Sequence, residues 1–347
     1  MKYNELGQSG IKVSELCLGT MTWGSQNSQE EASQQINIAV ENGINFLDTA
    51  EMYPTTPISK STLGETERII GRCLKENKKR NKLIIATKIT GKGFSAIRNG
   101  AAISSSNLRL ALEGSLRRLQ TDYIDLYQLH WANRGSYHFR RNWEFNPSSQ
   151  STKHELAQFF EILYELDKFV AEGKIRSIGL SNETSWGTQQ FLKISRENNL
   201  SRIVSIQNEY SLLCRYFDTD LAEICHHEKI GLLSYSPLSC GLLSGKYLND
   251  KIPKNSRRSI NSNLSNRINE VAIEASNAYI DLAKSYNFDP SQMALSFCIS
   301  RPFMTSVIFG STTERQLINN LKSKDLKLSK KMEKEILKIY KKYPIPF

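Results

Sequence analysis

The sequence predicts an α/β fold: a (β/α)8 barrel with an N-terminal β-hairpin, long loops after the fourth and seventh barrel strands, and a C-terminal helix. Two observations predict it. Short β-branched or apolar runs alternate with helical patterns eight times over, which favours a closed parallel barrel over an open doubly wound sheet. The chain has 347 residues, whereas such a barrel needs roughly 250. The surplus falls in two stretches of weak periodicity, 131–151 and 236–269, placed after the fourth and seventh runs. Loops there overhang the C-terminal face, where barrels of this kind build their sites. No change of composition marks a linker, so 1–347 reads as one domain.

In chain order, residues 2–5 and 11–14 flank the turn-forming LGQSG and predict a hairpin over 1–15. The eight strand-like runs are Leu16–Gly19 (LCLG), 45–48 (NFLD), 83–88 (LIIATK), 124–129 (IDLYQL), 177–180 (SIGL), 204–207 (VSIQ), Gly231–Tyr235 (GLLSY) and 307–310 (VIFG). Helical patterns stand between them, among others at 30–42, Glu65–Asn77, 108–119, 155–172 and 221–228. The end, 328–347, places apolar residues at 328, 332, 336, 339 and 340, the spacing of an amphipathic helix.

Composition narrows the partners. Lys and Arg number 46 against 35 Asp and Glu, a net charge of +11 with a pI near 9.2, which raises nucleic acid, anionic membranes and anionic ligands. Nine lysines between Lys322 and Lys342 face Asp325, Glu333 and Glu335, and 9 − 3 = +6 is more than half of the excess. That stretch reads as the solvated face of a basic helix, so neither nucleic acid nor membrane is expected as a partner. The N-terminus lacks the apolar core of a signal peptide, and no run of roughly 18 apolar residues occurs. Six cysteines (17, 73, 214, 225, 240 and 298) are scattered without a CxxC pair. Free thiols and a cytoplasmic location are expected. Cys225-His226-His227 suggests no metal, because neighbours on a helix diverge and no distant pair completes a tetrahedral set. GKGFSA at 91–96 matches the loose dinucleotide pattern GxGxxA but opens into a loop, with no acid closing the next strand, and is a chance match.

The polar residues gather at strand ends. The second run ends in Asp48 with Tyr53 just beyond, the third in Lys88, and the fourth is followed by His130. In a barrel these positions converge on one mouth. Singly, Asp48 could cap a helix, Tyr53 anchor a loop and His130 sit hydrogen-bonded in a core. A lysine closing an apolar strand must find a partner or lose its proton. As a set they make chemical sense. An Asp48–Lys88 pair satisfies both charges. The lysine beside a phenol should bring the tyrosine below its usual pKa of about 10. Such a tyrosine can give a proton to a carbonyl oxygen as hydride arrives, and His130 can orient the same oxygen. No nucleophile–base pair suited to hydrolysis is present.

At these residues the chain resembles the aldo-keto reductase family. The likeness runs from Tyr3 to about Leu328 through YNELGQSGIKVSELCLGTM, DTAEMY, LGETERIIGRCL, LRRLQTDYIDLYQLHW, GKIRSIGLSN, SIQNEYSLL and SPLSCGLLSGKYLN. LHWANR, VSIQNEYSLLCR and the long loops are similar to its Tas-type bacterial branch, which is related to the potassium-channel β-subunit branch. The resemblance implies a tetrad of Asp48, Tyr53, Lys88 and His130, and NADPH (NADP) bound extended across the mouth without a Rossmann domain. Ser181, Asn182 and Gln207 would hold the carboxamide, and Tyr235 would stack on the nicotinamide. Gly19, Thr20 and Met21 would line the cofactor, with Asp48 beside it. Ser236, Pro237, Leu238, Cys240 and Lys246 match the pyrophosphate loop, and Gly310, Thr312, Gln316, Asn319 and Asn320 the adenosine end. Two departures are Phe309-Gly310, where the family often has Pro-Gly, and Asn319, where it has glutamate. The 2′-phosphate favours arginine, and Arg315, Arg257 or Arg258 could meet it.

The reading that follows is NADPH-dependent reduction of an aldehyde or ketone, a small carbonyl substrate walled by Trp23, Trp131, Tyr53 and His130. A cofactor-binding regulatory subunit with little turnover is the alternative, and a Lys88 Schiff-base aldolase a more distant one. Nothing in the sequence selects an oligomeric state or a particular carbonyl compound.

Overall fold

The structure, a computed structural model, describes residues 1–77 and 80–347. Among these residues, eight parallel strands close into a (β/α)8 barrel, preceded by an antiparallel hairpin of β1 (Tyr3–Glu5) and β2 (Lys12–Ser14). The barrel strands are β3 (Leu16–Gly19), β4 (Phe46–Asp48), β5 (Ile84–Ile89), β6 (Leu126–Leu129), β7 (Ile178–Ser181), β8 (Ile203–Glu209), β9 (Gly231–Tyr235) and β10 (Met304–Phe309), with β10 returning to pair with β3. Between them run α1 (Gln29–Glu41), α2 (Glu65–Asn77), α3 (Ser105–Leu119), α4 (Thr152–Ala171), α5 (Ser185–Glu197) and α6 (Asp220–Glu228). After β9 come α7 (Arg257–Ile260), α8 (Glu270–Ser285) and α9 (Pro290–Ile299); after β10 come α10 (Glu314–Leu321) and α11 (Lys330–Lys342).

Helix starts follow local chemistry. Ser28 caps α1 with a full capping box to Glu31; Ser104, Ser151, Thr184, Asn269, Thr313 and Ser329 cap their helices through side-chain oxygens. Asp289 accepts from the backbone of Ser291 and Gln292, with Pro290 in the first turn of α9. Strand limits shift by a few residues from the sequence reading. β10 starts at Met304 and β8 runs on to Glu209, because Thr305, Ser306, Asn208 and Glu209 are polar yet buried against neighbouring strands. Ile124 lies outside β6 and joins Ile175 by a single bridge.

The 236–269 stretch is less featureless than its periodicity suggests. It holds tight 3₁₀ turns at Ser239–Ser244 and Leu248–Asp250 as well as α7. α11 lies at the expected basic end, packing Met332 and Ile336 inward against α8 while its lysines face out. Among the described residues no helix is long and apolar enough to cross a membrane, and no group of three His, Cys, Asp or Glu side chains is placed to hold a metal. All six cysteines are free.

Two cores flank the strands. The larger lies between barrel and helices; the smaller fills the barrel floor, where Cys17, Phe46, Ala86, Leu126 and Leu233 meet Leu6, Ile11 and Val13 of the hairpin. The hairpin therefore plugs the bottom and leaves the top open. Its turn depends on Gly7, whose φ is +58°, and an added Cβ there would stand 2.3 Å from the Val204 carbonyl oxygen. Gly7→Ala should lower the unfolding free energy by about 2 kcal/mol or more, read as a lower midpoint in chemical denaturation.

Candidate active site

The barrel register sets the site. Asp48 pairs with Gly19 on one side and Ala86 on the other, Lys88 with Gln128, Ser181 with Gln207, and Glu209 with Tyr235. Side chains far apart in sequence thus reach the same rim. Lys88 is fully buried, and its Nζ donates to Asp48 Oδ2 at 2.8 Å and to the Thr49 carbonyl at 2.7 Å. The second carboxylate oxygen accepts from Gln207 Nε2 at 2.8 Å. Thr20 donates from Oγ1 and backbone N–H to the Asp48 carbonyl. A charge removed from water is thereby given both an opposite charge and saturated hydrogen bonds.

Tyr53 sits above this pair, its ring centroid 5.1 Å from Lys88 Nζ. His130 meets it edge-on at 5.9 Å. Burial pulls the Lys88 pKa down, but the Asp48 charge and then Tyr53 outweigh it, and the ammonium is held above its ordinary pKa. For Tyr53 the balance corrects the sequence expectation. Burial raises the phenol above 10, and the lowering by Lys88 does not overcome it. The resting group is a neutral phenol over a fixed cation. His130 is pushed well below 6.5 by burial and then by Lys88, so its imidazole is neutral. Its buried Nδ1 has no partner among the described residues.

These groups open into a cleft of about 1360 Å³ across the barrel mouth, larger than the roughly 300–1,000 Å³ typical of one small ligand. Every residue that the family resemblance implies for the cofactor borders it. Asn182, at φ 51°, donates from Nδ2 to the His130 carbonyl at 2.9 Å, and its Oδ1 accepts from the Tyr235 hydroxyl at 2.7 Å, fixing that ring. Ser181 Oγ donates to the Gln207 carbonyl at 2.8 Å. Thr312 holds Gln316 Oε1 through its N–H and hydroxyl, Asn319 accepts from Gln292 at 2.8 Å, and Asn320 reaches Ser311 at 3.4 Å.

Gly241, at φ 98°, leaves room for Lys246, whose Cε would lie 2.5 Å from an added Cβ. Lys246 falls below its ordinary pKa through burial and the Arg257 charge. The buried Arg257 Nε is unpartnered, and among the described residues neither cation is in an ion pair within 4 Å. Converging cations without acids are the donor set a pyrophosphate or 2′-phosphate fits. Burial raises Cys240, yet Arg267 and Arg257 carry its thiol below the ordinary 9.0. Arg315 is exposed at the rim, and Arg258 is drawn to Asp250 at 3.5 Å, outside the cleft lining.

Trp23, expected as a pocket wall, is fully buried, donates to Gln35 and lies in the larger core, because an indole gains more from burial in an apolar core where its N–H finds a partner than at a rim. Trp131 does line the cleft. Its ring packs 5.0 Å from His130 and over Gly91, where an added Cβ would strike the indole at 2.3 Å. That is the structural task of the glycine in the chance GxGxxA match. Phe139, Arg140 and Arg267 also border the cleft. Sequence reasoning missed them because they stand in the long loops, where no periodicity aims a side chain.

The comparisons with known proteins agree in one direction. A model described as Aldo/keto reductase family matches residues 15–341. The chain is 41% identical to Protein tas of Escherichia coli (strain K12) over 350 residues, spanning 100% of this chain and 99% of that protein. It is 31% identical over 344 residues to Uncharacterized oxidoreductase YrpG of Bacillus subtilis (strain 168), covering 98% and 94%. It is 34% identical over 281 residues to a protein named Aldo-keto reductase from Babesia bovis, covering 77% and 98%.

The lowered His130 pKa has a consequence for stability. Below pH 6.5 an unfolded imidazole takes up a proton that the folded one refuses, so stability falls as pH drops through that window and is regained above it. NMR of the imidazole C–H signals should show His130 without a titration step near 6.5, its step appearing only at markedly lower pH.

Proposed function

Because this chain belongs to the aldo/keto reductase family, we propose that it is an NADPH-dependent carbonyl reductase, working as a single domain and turning an aldehyde or ketone into an alcohol. The observation that supports this best is the neutral Tyr53 phenol held above the buried Lys88–Asp48 pair with neutral His130 at its edge. When bound, NADPH supplies the hydride. The residues of the chain supply the proton and the positioning. Tyr53 gives its hydroxyl proton to the substrate oxygen, and Lys88 lies ready to stabilise the phenolate left behind. Asp48 fixes the lysine, and Gln207 fixes Asp48. His130, as a neutral donor, orients the same oxygen. Tyr235, tied to Asn182, offers its face to the nicotinamide; Lys246 and Arg257 meet the phosphates.

The Schiff-base reading loses support from the same geometry. An amine nucleophile needs a lowered pKa, whereas Lys88 is raised and locked to a carboxylate.

Tyr53→Phe should cut kcat by about 10²-fold or more, while NADPH binding followed by fluorescence stays within twofold. Retained turnover in that variant overturns the assignment. Arg257→Ala should weaken NADPH by roughly 10-fold or more, the scale of one charge-assisted contact, and NADH much less. Equal losses for both cofactors would place Arg257 at the pyrophosphate instead of the 2′-phosphate.

A further inference from the structure

One buried charge cluster in the cleft wall has no part in the mechanism above. Glu209, the last residue of β8, accepts from Arg140 Nη1 at 2.7 Å on one oxygen and from Arg267 Nε at 2.8 Å on the other. Arg140 comes from the first long loop and Arg267 from the second. The three side chains are at most 9% exposed. Two guanidiniums against one carboxylate leave a positive charge over, which is costly at so dry a place unless an anion joins it.

Among the described residues Glu209 is the single ion-pair partner of both arginines. Arg267 also donates from Nη1 to the Leu264 carbonyl at 2.9 Å and is flanked by the Cys240 thiol, which leaves Arg140 the less satisfied of the two. The Arg140 Nε is buried and unpartnered. Arg140 is among the residues that line the cleft, as are Phe139 and Trp131. A wall of rings leads to it from the phenol: Tyr53 to His130 at 5.9 Å, His130 to Trp131 at 5.0 Å, and Trp131 to Phe139 at 6.0 Å. Phe139 and Arg140 both hold left-handed backbone, φ 59° and 61°, a conformation that side chains with a Cβ rarely adopt. The ring contact of the one and the ion pair of the other hold it in place.

We propose that Arg140 is the anion-recognition residue of the substrate subsite, and that the preferred substrates are carbonyl compounds carrying a carboxylate several bonds from the reacting carbon. This rests on the reductase reading above. Glu209 orients the guanidinium by one nitrogen and leaves the rest of its planar fork to meet a carboxylate. The apolar middle of the substrate lies along the ring wall while its carbonyl reaches Tyr53.

A matched pair tests it: 4-carboxybenzaldehyde and its methyl ester, assayed with saturating NADPH. The wild-type protein should favour the acid at least 10-fold in kcat/KM. Arg140→Gln should bring the acid-to-ester ratio to near one through a rise in KM for the acid of about 10–100-fold, the scale of a lost hydrogen bond to a charged group. Arg140→Lys should recover part of the preference. A wild type indifferent to the charge overturns the proposal, as does an Arg140→Gln variant that loses acid and ester alike, which would leave Arg140 only a tie between loops. Weakened NADPH binding with an unchanged acid-to-ester ratio would assign the anion to the cofactor and also overturn it. Should neither aldehyde be reduced, the reductase reading fails separately. Calorimetric titration of benzoate into the NADP-loaded protein then still decides: Arg140-dependent binding supports the anion site and its absence removes it.

Discussion

The ammonium of Lys88 has no contact with solvent, and the architecture of the mouth follows from how that charge is satisfied. Asp48 lies 2.8 Å away, Gln207 secures the far side of the carboxylate, and Thr20 holds the backbone that carries it. Three strands and the residue that follows β3 thus converge on one ion pair. Removing either partner would leave an uncompensated buried charge, a loss of about 3–5 kcal/mol. The same pair sets the chemistry above it, because the cation opposes the cost of ionising a buried Tyr53 and helps keep His130 neutral.

The long loops extend this economy of charge. Both are tied to Glu209 at the end of β8, the first through Arg140 and the second through Arg267. Deeper in the second loop, Lys246 and Arg257 stand close together without acids. The wall of the cleft is therefore positive in two places, one at Lys246 and Arg257 and one beyond the aromatic wall. The basic balance of the whole sequence does not report this. More than half of its excess lies in the 322–342 segment, whose lysines, Lys324 apart, are exposed.

Much of the scaffold could be read from the sequence because β-strands and amphipathic helices follow periodic patterns. The strand-end residues Asp48, Lys88 and His130 were legible because the barrel topology converts sequence position into spatial position. Trp23 was misplaced because adjacency to Gly19–Met21 says nothing of which way an indole turns, and burial turned it into the core. Tyr53 was placed correctly but assigned the wrong sense of pKa shift. A neighbouring charge is visible in sequence once the fold is known; the depth of burial that outweighs it is not.

The sequence by itself determined the (β/α)8 order, the helical segments and the group of ionisable side chains at the mouth, since each depends on local propensity or on strand periodicity. Only the tertiary structure decided the hairpin plug in the barrel floor, the Gln207 contact to Asp48 and the Arg140–Glu209–Arg267 cluster. The polar contacts among these join residues 58 to 159 positions apart, and the Arg140 and Arg267 side chains come from loops of weak pattern. Their partners are set by packing and by the requirement that every buried charge be met, and neither condition is local to any stretch of chain.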